Sequence, residues 1–125
     1  MANEIRVYSH LQVDNGNFRE EFAPAERFVT QNGVGATGHT QVISTGSETV
    51  IDLSGVTTLG YFRIANVGTN VSNYVVWGPD SGGAMVPVGR LDYGDCAVFR
   101  LEPGITLRAQ AHGGDVPIGP RAFED

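Results

Sequence analysis

Apolar residues in this chain come in short runs rather than at helical spacing. Between residues 59 and 111 the runs GYFRIANV, SNYVVWG, AMVPVGRL, CAVFRL and TLRAQA are separated by Gly, Asn, Asp and Pro clusters. Val, Ile, Tyr, Phe and Trp suit a pleated, half-buried surface, while residues 67–70, 78–83, 92–95 and 102–104 carry turn chemistry. The stretch reads as a β-meander. Within it, Ala97, Phe99 and Leu101 fall on one face and Cys96, Val98 and Arg100 on the other; likewise Leu107, Ala109 and Ala111 oppose Thr106, Arg108 and Gln110. The first set of each is expected in the core. Tyr74, Val75, Val76 and Trp77 break the alternation, which predicts a strand that is central in a sandwich or covered on its outer face by a partner or an arm.

Ahead of the meander, an extended run over 5–13, the hairpin signal at residues 14–16 and a returning run over 17–22 predict a β-hairpin or paired arm. Residues 24–28 have the composition of a single helical turn, with Pro24 at its start, but are too short to stand alone; they read as a linker with Phe28 tucked in. The glycine-rich stretch 31–40 marks a boundary. Short strands over 41–44 and 49–53 bring the expected total to about seven to nine. Such spacing predicts an all-β fold, an antiparallel β-sandwich or jelly roll with an extended N-terminal arm. Residues 1–40 form the arm and linker, 41–115 the core, and 116–125 a loosely attached tail with two prolines and no pattern.

At 125 residues the chain is one domain of a size that folds without staples. Its single cysteine, Cys96, excludes an internal disulfide and, lying in an apolar run, is expected to be a buried thiol. No apolar run approaches the ~20 residues that span a bilayer. The opening Met-Ala-Asn-Glu-Ile lacks the basic-then-apolar order of an export leader, so a soluble protein assembled in a cytoplasm is expected. The net charge is −6, with no lysine and eight scattered arginines, which argues against nucleic-acid binding. Arginine without lysine fits coding bias, or the fit of arginine's planar fork to protein interfaces.

Catalytic constellations are not apparent. His10, His39 and His112 have no spacing that supplies metal ligands from one element, so no metal or other cofactor is expected. His112-Gly-Gly-Asp115 is more simply a strand end before a glycine turn than an imidazole–carboxylate pair. No G-x-S-x-G elbow occurs, and the Gly-rich loops lack a phosphate-binding lysine. Gly94-Asp95 followed by Pro103-Gly104 resembles the second motif of the cupins, but Leu107 stands where the histidine ligand belongs. Tyr61, Tyr74, Trp77 and Tyr93 could line a sugar platform, although core positions explain such aromatics more simply, with Trp77 closing one end of the sandwich.

The order of pieces also carries a resemblance. Residues 47–67, SETVIDLSGVTTLGYFRIANV, then Asn73-Tyr-Val, Met85-Val-Pro-Val, Gly94-Asp95 and residues 101–109, LEPGITLRA, together resemble small β-structured virion proteins of tailed bacteriophages. The resemblance covers roughly residues 42–112 and implies a structural role in the virion without catalysis. The leading expectation is a capsid decoration or cement protein bound to the major capsid (coat) protein, assembled as a homotrimer at sites of local symmetry. The alternatives are a tail or head-fibre protein with a carbohydrate-binding face and, third, a cupin-like enzyme. Contacts are expected at Ile5, Val7, Tyr8, Phe18, Phe22 and Phe28 in the arm, and at Tyr74, Trp77, Arg100 and Arg108 in the core.

Overall fold

The computed structural model describes residues 4–31, 33 and 35–125. The chain divides into two compact units, Met1–Gly33 and Val34–Asp125. The division lies inside the glycine-rich stretch, ahead of the expected boundary at residue 40. The leader reading rests partly on Met1, Ala2 and Asn3, which lie outside the described residues.

In the first unit β1 (Ile5–Val7) pairs antiparallel with β4 (Arg27–Val29), and β2 (Leu11–Asn15) with β3 (Phe18–Phe22). Gly16 opens the two-residue turn between β2 and β3 with φ of 60°, a left-handed conformation that lacks a Cβ penalty only in glycine. Strand alternation places Leu11, Val13, Phe18, Glu20 and Phe22 on one face of this ribbon and Gln12, Asp14, Arg19 and Glu21 on the other. Residues 24–26 form no regular element, as a linker would, whereas Arg27 and Phe28 belong to β4, because β1 supplies main-chain partners that so short a helix lacks. Phe28 is correspondingly not tucked in. It lies opposite Arg6, is 49% exposed, and carries the Arg6 guanidinium 5.2 Å from its ring centre.

The second unit contains β5 (Ala36–Thr37), β6 (Gln41–Ile43), β7 (Thr49–Val50), β8 (Leu59–Ala65), β9 (Tyr74–Ser81), β10 (Ala84–Met85), β11 (Gly89–Leu91), β12 (Cys96–Arg100), β13 (Leu107–His112), β14 (Val116–Ile118) and β15 (Arg121–Glu124). Among the described residues every regular element is a strand, fifteen in all, since bulges and breaks split the expected runs into shorter pieces. One antiparallel sheet has the order β10-β9-β13-β7, with β11 also on β9; the other runs β12-β8-β15-β5. The β14–β6 pair joins them. Asn66, just after β8, bridges to Ile118, and the Ala111 N–H donates to the Ser44 carbonyl beyond β6 at 3.0 Å. The result is an all-β antiparallel unit curled towards a half-barrel, consistent with the expected sandwich.

The core follows the alternation. Phe62 and Ile64 of β8, Val75 of β9, Leu107, Ala109 and Ala111 of β13, and Ile43 of β6 are buried, each large apolar side chain contributing about 1.5–3 kcal/mol. Ala97 and Phe99 pack against this core while Val98 stays outside. β9 is paired on both sides; Val75 is buried and Trp77 packs against the core, while Tyr74 and Val76 lie half-buried on the other face. The strand also continues through Gly78 and Pro79, which had turn chemistry. The turn is instead at Gly82-Gly83, with φ of 64° and 90°. A side chain at Gly78 would place its Cβ 1.9 Å from the Val86 carbonyl oxygen, where an extra residue bulges the β10–β11 side of the ladder.

Two further expectations are corrected. Residues 116–125 are no loose tail: Val116, Ile118 and Ala122 are 0–2% exposed, β14 pairs with β6, and β15 lies between β8 and β5. The prolines do not prevent this, because Pro120 stands in the break between β14 and β15, where no ladder bond needs its missing N–H. Cys96 is exposed, since it shares the outward face of β12 with Val98 and Arg100.

Candidate interaction surfaces

Three surfaces gather the chemistry. The first is the β2–β3 ribbon, on which every residue is exposed; Leu11, Phe18 and Phe22 are 66%, 58% and 62% accessible. On its polar face Arg19 lies 3.2 Å from Asp14, and Glu21 lies 3.8 Å from His10 just before the ribbon. The Glu20 carboxylate, on the apolar face, has no ion pair or hydrogen bond among the described residues. The other expected arm contacts divide: Ile5 and Val7 are half-buried on β1, and Tyr8 is exposed.

The second surface is the outer face of the β9 sheet. Tyr74 of β9 stacks on His112 of β13, with centroids 4.8 Å apart and planes 10° from parallel. Arg90 of β11, from the other side, lies 3.7 Å over the same ring and pairs with Asp92 at 2.7 Å, a hydrogen bond that raises the guanidinium pKa further. Both faces of the Tyr74 ring are therefore occupied. Arg108 reaches Asp80 at 2.5 Å across β13 and β9. Its fork is committed within the sheet.

The third surface is the outer face of the β8 sheet. Tyr61 and Arg63 of β8, Val98 and Arg100 of β12, and Arg121 of β15 share it by strand register, with the Phe123 ring beside Arg121 at the irregularity in β15. Arg63 stands directly opposite Arg121 on one side and Val98 on the other. Arg100 is held by Asp125 at 2.5 Å and lies 5.7 Å over Tyr61. Arg121 donates to the Gly38 carbonyl at 3.3 Å and lies 6.0 Å from Phe123. Arg63 has no ion pair among the described residues. Of this group only Arg100 was expected as a contact, and Tyr61 was considered only for a sugar platform. The Arg63–Arg121 register depends on a pairing 58 residues apart in the chain, which alternation within one strand cannot show.

The residues with candidate catalytic or sugar-binding chemistry lie on separate elements. His10, His39 and His112 lie just before the ribbon, in a loop and on a sheet face, and the Asp115 carboxylate accepts the Thr45 N–H at 3.3 Å. Among the described residues no group of three or more His, Cys, Asp and Glu side chains is placed to hold a metal ion. Leu107, at the position a cupin ligand would occupy, is 2% exposed in the core. The four aromatics of the sugar platform are dispersed: Tyr61 and Tyr74 lie on different sheets, Tyr93 in a turn, and Trp77 against the core. Trp77 does not cap an end but stacks on Phe99, its ring over Gly89 and its buried indole N–H without an acceptor among the described residues.

Among the described residues no helix is long and apolar enough to cross a membrane. Comparison with protein-family models, with curated proteins and with solved structures finds no match.

Proposed function

We propose that this chain is a structural virion protein of the capsid decoration or cement type, attached to a phage head through contacts with coat subunits. The β2–β3 ribbon is the observation that carries this reading. A two-stranded ribbon is marginally stable in water at best, and this one leaves Leu11, Val13, Phe18 and Phe22 exposed on a single face. Such a ribbon gains stability when a second surface covers that face, while the second unit closes its own core from residues 43–122. A folded body carrying an adhesive ribbon suits passive attachment, with main-chain pairing and apolar contact supplying affinity. The order of turn motifs that resembles small phage virion proteins supports the same reading.

Purified particles from a phage carrying the gene test it. The chain should be present in stoichiometric amounts on the outside of the head, and particles lacking it should open at lower temperature. A chain absent from purified heads, or found at the tail tip, overturns the assignment.

A further inference from the structure

We propose that the β2–β3 ribbon of one copy packs face-on against the outer face of the β8 sheet of a second copy, placing Glu20 between Arg63 and Arg121. The inference rests on the reading of the ribbon as an attachment element, but not on the identity of the particle.

Charge complementarity selects this occupant. The chain has net charge −6, yet the β8 face gathers Arg63, Arg100 and Arg121, of which, among the described residues, only Arg100 is held by a carboxylate, that of Asp125. Like charges directly opposite each other on neighbouring strands are unfavourable, so Arg63 facing Arg121 is a pair that an anion would relieve. The ribbon offers that anion. Arg19 and Asp14 satisfy each other on the polar face, whereas Glu20 stands without a cation in the middle of the apolar face.

The spacing matches as well. Phe18, Glu20 and Phe22 recur at every second residue of β3, as Tyr61, Arg63 and Ala65 do on β8, so the pleats bring carboxylate and guanidinium together while the aromatics meet apolar surface. Covering the ribbon face buries Glu20, and a buried carboxylate is tolerated only when paired and hydrogen-bonded. Arg63 and Arg121 supply planar forks suited to that geometry. The other sheet's arginines are spent, Arg90 on Asp92 and Arg108 on Asp80. The pairing thus selects the β8 face over the β9 face.

Sedimentation of the full chain, without any particle, tests the proposal. The wild-type chain should self-associate. Arg63→Glu and Glu20→Arg, both at exposed positions, should each weaken association at least tenfold, about 1.4 kcal/mol. An equimolar mixture of the two variants should recover it, because each ribbon then meets a face of opposite charge on the other copy. Circular dichroism of each variant establishes that it is folded. A wild-type chain that stays monomeric at its highest soluble concentration, or folded variants that associate like the wild type, overturns the proposal. A double variant that associates while the mixture does not also overturns it, since it would place the contact within one copy. Neither failure touches the presence of the chain on heads, which the particle analysis reads separately.

Discussion

Trp77 of β9 and Phe99 of β12 stack with centroids 5.1 Å apart and planes 5° from parallel, joining two sheets whose strands share no main-chain ladder. Phe99 also meets Phe62 of β8 edge-on at 5.1 Å. One ring therefore holds the packing between the sheets on the side where β12 is the outer strand.

Phe99→Ala should destabilise the chain by about 3–5 kcal/mol, since it removes a large ring from between two others. Arg100→Ala, the next residue, should cost about 1 kcal/mol or less, because its pair with Asp125 is partly exposed and screened by solvent. Chemical denaturation of both variants checks the contrast. Equal losses would mean that the core does not depend on the aromatic contact.

Two truncations separate the ribbon unit from the core. Removal of residues 1–33 should preserve cooperative melting, because the buried cluster begins at Ile43. Removal of residues 1–38 should lower the melting temperature further: it deletes β5, which pairs with β15, and the Gly38 carbonyl that accepts from Arg121. Loss of cooperativity in the shorter truncation would show that the first unit belongs to the folding core.

Ser54 sets the titration of Asp52. Its hydroxyl donates to the carboxylate at 2.7 Å and its N–H at 3.1 Å, and these bonds hold the Asp52 pKa below its ordinary value, with burial opposing and the charge of His39 adding slightly. A carboxylate depressed in the folded state contributes stability above its unfolded pKa and loses it as pH falls through the folded pKa. Ser54→Ala should therefore move the Asp52 titration up towards the ordinary carboxylate range, read by NMR of the side-chain carboxyl carbon. An unmoved titration would remove Ser54 as the cause.

How far the sequence foretold this arrangement depends on the range of each interaction. The inward faces of β12 and β13 were legible because alternation is a property of neighbouring residues, and Phe99 and Leu107 lie where it puts them. The strand character of residues 116–124 was not, because Val116-Pro-Ile118 is too short to show a period and is held by distant partners in β6 and at Asn66, as β15 is by β8. The β8 face was hidden for the same reason. Arg63 and Arg121 are ordinary surface arginines until the ladder sets them side by side. The ribbon was legible from the hairpin signal at residues 14–16, but the lone position of Glu20 needed the register that pairs it with Val13.

The side-chain amides at the sheet margins bear on how copies can add to one another. Gln41 donates to the Val50 carbonyl at 2.9 Å and accepts the Asp52 N–H at 3.1 Å, which occupies main-chain groups beside β7; Asn66 donates to the Leu91 carbonyl at 3.2 Å on the margin of β11. Among the described residues no side-chain amide covers β12 in this way. Sheet extension needs two receptive margins on every subunit, one to give and one to receive. In the sheet that β12 bounds the second margin is β5, only two residues long, so a series of added strands finds little to pair with at that end.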